Sequence, residues 1–201
     1  MGPNSVVTDG SKLAARSATG GEAVIVAHIG YRLGALGFMA MPELTAESPH
    51  KSSGNYGLLD QMFALKWIKR NIHAFGGSKT PRVVVFGESA GAYDISALLA
   101  SPLAAGLFDG AILESPYQAF YWKSLSVAEK VGTSCAARVG CQKKDAKETM
   151  ACLRALPTLE LITCTAAEFG DKITKNIYHQ IVVPNVDGSV GLLAAMAIID
   201  I

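Results

Sequence analysis

The sequence predicts an α/β fold, a layered and mainly parallel sheet flanked by helices. Three observations carry that reading. A short apolar run at Ala23–Ile29 reads as a buried strand, and those at Val83–Phe86 and Ala111–Leu113 read as short strands. Elsewhere apolar residues recur at three- and four-residue steps, the period of one helix face. The two patterns alternate along the chain, as they do when helices pack on a sheet.

Taken in order, residues 1–21 are polar and rich in Gly and Ser and read as a loop before the first strand. Residues 41–57 carry Pro42, Pro49, Gly54 and Gly57 and read as a long surface loop. From Leu58 the period changes, and Leu58, Met62, Leu65, Ile68 and Ile72 share one face of a helix. Asp60 is expected in its first turn and Lys69-Arg70 near its end, as the helix dipole favours, with Gly76-Gly77 as the stop. The strand at 83–86 runs into Gly87-Glu88-Ser89-Ala90-Gly91, then a helical stretch to about Ala100, closed by Ser101-Pro102. After the strand at 111–113, helical patterns cover roughly 126–139, 145–155 and 158–168. Ile181–Val183 reads as extended, and Gly191–Ile199 fits either strand or helix.

Composition excludes several function classes. Half of the 201 residues are apolar and 17% are charged, which excludes disorder. A chain this long can bury roughly 70% of its unfolded surface without staples. Eighteen basic residues against 17 acidic ones leave a net charge of +1 with no basic stripe, so nucleic acid is not an expected partner. The longest apolar stretches, Val24–Ala27 and Leu192–Ile199, fall far short of the ~20 residues of a membrane span. Met1-Gly2-Pro3-Asn4 shows no signal-peptide pattern, and Val6 breaks the myristoylation pattern. Charged content below the usual ~25% points to a large core or to further protein around this piece.

Gly87-x-Ser89-x-Gly91 carries the chemistry. As a bare string it is a weak signal, but a strand precedes it and a helix follows, as a nucleophile elbow requires. A serine on such a turn projects its hydroxyl above the sheet, and side chains two residues either side would collide there. The following helix aims its free N–H groups at the site, so the N–H of Ala90 is placed to receive an oxyanion.

The flanking residues extend the match. Gly54-Asn55-Tyr56-Gly57-Leu58-Leu59-Asp60-Gln61 resembles the GNxGLxDQ signature of type-B carboxylesterases, the cholinesterase-like family. Ala64-Leu65-x-Trp67-Ile68, Asn71-Ile72-x-x-Phe75-Gly76-Gly77 and Phe86-Gly87-Glu88-Ser89-Ala90-Gly91 continue it in register. Tyr31-Arg32-Leu33-Gly34-x-x-Gly37-Phe38 resembles NYRLGxxGF, with Gly30 in place of the Asn. Cys152-Leu153-Arg154 and Val186-Asp187-Gly188 resemble later landmarks, and Ser78 stands where the family has Asp after Phe-Gly-Gly.

The resemblance spans roughly residues 9–188 and implies an α/β-hydrolase fold that hydrolyses small-molecule carboxylic esters through an acyl-enzyme. It implies Ser89 as nucleophile, Ala90 as one oxyanion donor, Glu88 as an acidic neighbour of the site, Gly87 and Gly91 as elbow glycines, and Arg32 with Asp60 as a structural ion pair. Residues 1–201 then form one partial hydrolase domain with a helical, cap-like stretch at about 126–168. No cofactor is implied, and the His and Cys residues show no metal-ligand spacing. Oligomeric state is not readable.

A serine needs a base, and the base needs an orienting carboxylate. In hydrolases of this fold the order is Ser, acid, His. His28, His50 and His73 precede Ser89, and His28 in its apolar strand reads as a packed residue. His179 follows Ser89, but in the family the catalytic Glu and His lie beyond the Val-Asp-Gly landmark, and the HGG segment with the other oxyanion donors lies before Asp9-Gly10-Ser11. The expectation is a piece cut on both sides of the chemistry, with very little turnover of its own. The alternatives are a catalytically silent, cholinesterase-like binding protein, as adhesion members of the family are, and a truncated gene product.

Cys135, Cys141, Cys152 and Cys164 allow three pairings. The resemblance implies a Cys141–Cys152 disulfide, hence an oxidising compartment and a secreted parent protein. Cys135 reads as a small buried residue of a helix, and Cys164 stays unassigned.

Overall fold

The computed structural model describes residues 9–116, 122–166, 185–186 and 196–200. The chain divides into two compact units, one of Met1–Tyr31, Leu58–Gln118 and Leu192–Ile201, the other of Arg32–Gly57 and Ala119–Gly191.

The first unit is the α/β layer. Its strands are β1 (Val24–His28), β2 (Val83–Glu88), β3 (Gly110–Glu114) and β6 (Met196–Asp200), in the sheet order β1-β6-β2-β3. β2 and β3 pair in parallel, Phe86 opposite Ile112 and Glu88 opposite Glu114. β6 runs antiparallel to both neighbours, so three of the four strands point one way. The ambiguous stretch near the C-terminus thus contributes a strand at Met196–Asp200. The expected extension at Ile181–Val183 lies outside the described residues.

Helix α4 (Tyr56–Asn71) buries the face read from its period: Leu58, Met62, Leu65, Ile68 and, in the following 3-10 turn, Ile72. It begins two residues before Leu58, which moves Asp60 out of the first turn. The 3-10 turn ends at Gly76 with φ of 91°, a left-handed conformation that glycine adopts without strain. Lys69 near its end donates to the carbonyl of Gly106 at 3.0 Å and stands 3.4 Å from Asp109. Helix α5 (Ala90–Ala100) is almost wholly buried from Gly91 to Leu98 and ends at Ser101, whose hydroxyl accepts the N–H of Leu103 at 3.2 Å.

The second unit is helical. It holds α2 (Gly34–Phe38), α3 (Pro42–Glu47), α6 (Leu125–Arg138), α7 (Ala146–Ala155) and α8 (Thr158–Ala166), with a two-stranded parallel ladder of β4 (Lys123–Ser124) and β5 (Asn185–Val186). Its core gathers Ala35, Met39, Met41, Val131, Ala136, Met150 and Leu153 around four cysteines, three of them (Cys135, Cys141 and Cys164) fully buried. The Arg154 guanidinium forks onto the Glu47 carboxylate, with Nη1 to Oε1 at 3.1 Å, tying α7 to α3. The carbonyl of Arg32 explains two glycines of the resemblance. A Cβ on Gly37 would overlap that carbonyl, and one on Gly57 would lie 2.5 Å from it and 2.7 Å from the Phe38 ring.

Two predicted loops are corrected. Residues 11–19 form a helix, α1 (Ser11–Thr19), which packs on β1. The Asp9 carboxylate accepts both the N–H and the hydroxyl of Ser11 at 2.9 Å, bonds that hold its pKa below the usual range. Ala, Leu and Arg favour the helix, but Leu13 is its one large apolar side chain and none of its residues is buried, so it read as part of the polar stretch around it. Within residues 41–57, Pro42 opens α3 instead of breaking structure, because the first helical turn needs no proline N–H.

Candidate active site

The turn from β2 to α5 places Ser89. Its backbone has φ of 53° and ψ of −112°, a region that costs a non-glycine residue of order 1–3 kcal/mol. Hydrogen bonds on both sides hold it there. The N–H of Ser89 donates to the carbonyl of Glu114 at 2.9 Å, adding one rung to the parallel β2–β3 ladder. The carbonyl of Ser89 accepts the N–H of Tyr93 at 3.0 Å, the first bond of α5. The N–H groups of Ala90, Gly91 and Ala92 precede that bond and have no acceptor within the helix.

Serine often caps a helix with its side chain, but the Ser89 side chain makes no cap bond here. The residue is exposed, and among the described residues its hydroxyl makes no hydrogen bond. Glu88 and Ala90 are also exposed, Gly87 is half-buried and Gly91 buried. Ser115, just past β3, is a second non-glycine residue with positive φ, 51°, beside the bond that anchors the elbow. Sequence reasoning missed it, since nothing in its residue type signals that conformation.

The other predicted residues belong to other elements of the chain. Arg32 belongs to the second unit, where its guanidinium stands 5.5 Å over the Tyr56 ring. Asp60 belongs to the first, in the second turn of α4. His28 is half-buried in β1 with a buried, unbonded Nε2, while His50 and His73 are exposed. His179, Asp187 and Gly188 lie outside the described residues. Gly30 has open space around it, and the Ser78 hydroxyl accepts the N–H of Thr80 at 3.1 Å.

The cysteines form two bonds. Cys141 pairs with Cys152, as the resemblance implied, with Cα atoms 5.4 Å apart. Cys135 is buried as expected, but it is bonded to Cys164, a correction to its reading as a plain packing residue. The outer bridge encloses the inner one. Among the described residues no group of three or more His, Cys, Asp and Glu could hold a metal ion.

One buried group went unread. Asp94, within α5, is fully buried and accepts a 2.7 Å hydrogen bond from Gln61 Nε2. Burial holds its carboxyl pKa well above the usual range, against the hydrogen bonds from Gln61 and its own N–H. An Asp inside an apolar helical run was the available signal.

A strand, a strained serine and a buried helix in this order are the core of the α/β-hydrolase fold. Comparison with known proteins agrees. A PNB esterase structure superposes with a TM-score of 0.64 at 34% identity, over 83% of this chain and 33% of that one. The fumonisin B1 esterase of Sphingopyxis macrogoltabida is 46% identical over 136 residues, 68% of this chain and 24% of that protein. Human neuroligin-2 is 38% identical over 182 residues, 90% of this chain and 20% of that protein. The carboxylesterase family model matches residues 1–198, and the chain belongs to that family. The chain spans about a quarter of the length of these two relatives.

Proposed function

We propose that Ser89 is the nucleophile of a serine carboxylesterase site. The observation that supports it is the backbone of Ser89, held at φ 53° between β2 and α5 with its hydroxyl uncapped and exposed. Ser89 Oγ attacks an ester carbonyl and the N–H of Ala90 receives the oxyanion. The alcohol leaves with a proton, and water then releases the acid from the acyl-enzyme. Glu88 supplies negative charge beside the turn, and Gly87 and Gly91 give it room. Helices α6, α7 and α8 form a cap-like helical region of the hydrolase domain. The two disulfides fit a secreted parent protein.

The second reading is a catalytically silent binding protein of the same family. It is supported by the likeness to human neuroligin-2 over 90% of this chain. A fluorophosphonate probe, which phosphonylates activated serines, separates the two. The nucleophile reading predicts slow labelling of the Ser89 peptide, accelerated by added imidazole as an external base and absent in Ser89→Ala. A folded sample that takes no label with or without imidazole would count against the nucleophile reading.

A further inference from the structure

Asp94 on α5 and Gln61 on α4 face one another with side chains shut off from solvent. One hydrogen bond joins them, Gln61 Nε2 to Asp94 Oδ2 at 2.7 Å. The other two oxygens, Asp94 Oδ1 and Gln61 Oε1, are buried and have no hydrogen-bond partner. An ionised carboxylate only accepts, and an amide carries one donor group and one acceptor. Exchanging the amide O and N leaves one acceptor over on each side just the same. Native interiors seldom leave two such atoms unsatisfied.

We propose that Asp94 and Gln61 form a neutral carboxylic acid–amide pair, in which Asp94 Oδ1 holds a proton and donates it to Gln61 Oε1. One proton then satisfies both orphan oxygens. Two hydrogen bonds instead of one join α4 to the helix that begins at the Ser89 turn. The pair is a buried proton-binding site that locks those two helices together.

The surroundings suit a neutral acid. No lysine or arginine acts on Asp94 among the described residues, and desolvation is the largest influence on its carboxyl. Tyr31, following β1, is a titratable neighbour, and burial raises its phenol pKa and keeps it neutral too. From the sheet, Glu88 and Glu114 stand exposed at the ends of β2 and β3. In the unfolded chain Asp94 titrates near pH ~4. Above that pH the unfolded state gives up a proton that the folded state keeps. The stabilisation is therefore complete below the unfolded value and is lost as pH rises towards the folded one.

Asp94→Asn keeps one donor and one acceptor but cannot titrate. Equilibrium unfolding of the whole chain, followed between about pH 5 and 8, compares the two proteins. The proposal predicts that the unfolding constant of the wild type, divided by that of Asp94→Asn, rises about tenfold per pH unit over that range until the folded carboxyl ionises. Parallel pH profiles would overturn it. Isotope-edited infrared spectroscopy of wild-type chain carrying 13C-aspartate gives a test without a variant. A protonated carboxylic acid band at neutral pH is expected, and carboxylate bands alone would overturn the pair.

Discussion

The two units hold their structure by different means. In the first, backbone hydrogen bonds from the β2–β3 ladder and from α5 fix a strained serine, and buried apolar side chains supply the support. No disulfide lies in that unit among the described residues. In the second, short helices enclose a core that includes two nested disulfides. A site that must place one atom benefits from a rigid sheet edge. Helices of nine to fourteen residues, marginal alone, benefit from covalent closure.

Substitutions can break that contrast in order of expected size. Leu65→Ala, at a fully buried position of α4, should cost about 2–5 kcal/mol in denaturant unfolding. Because it leaves the cysteines untouched, non-reducing peptide mapping should still join Cys135 to Cys164 and Cys141 to Cys152. Next is the double replacement Cys135→Ser with Cys164→Ser. It opens a loop with a sequence separation of 29 and should cost about 3–4 kcal/mol in the chain-entropy model. Opening the inner loop, with a separation of 11, should cost about 3 kcal/mol by the same reasoning, and somewhat less while the outer bridge is intact. Equal stability of oxidised and reduced chain would remove the contrast between the units. Smaller again is Gly132→Ala, whose Cβ would overlap the carbonyl of Ala40 on the core side of α6. A cost of about 1–3 kcal/mol in the same unfolding experiment is expected.

The same contrast governs what could be read from the chain. The buried face of α4 was legible because burial on one side imposes a period on residue type, and β2 and β3 because apolar runs between turn residues mark strands. So was the elbow, because strand, glycine-flanked serine and helix follow one another locally. Helix α1 was not legible, since it buries nothing and its glycine- and serine-rich surroundings read as loop. Pro42 misled because a proline can start a helix as well as stop one. The Cys135–Cys164 bond and the Asp94–Gln61 contact join residues 29 and 33 positions apart. Such contacts depend on how helices pack, which no local pattern records. The strain at Ser89 is visible only in its dihedral angles, although the motif that predicts it is four letters of context.

If Ser89 is the nucleophile, the chain holds it in a strained conformation for the sake of its hydroxyl. Chemical denaturation of Ser89→Gly beside Ser89→Ala and the wild type tests that claim most directly. Glycine relieves a positive φ of 53° at no steric cost, and no cap bond is lost with the hydroxyl. The account predicts that Ser89→Gly is more stable than both others by about 1 kcal/mol while losing all fluorophosphonate labelling at that peptide. A glycine variant less stable than Ser89→Ala would contradict it, and would make this turn an ordinary helix start.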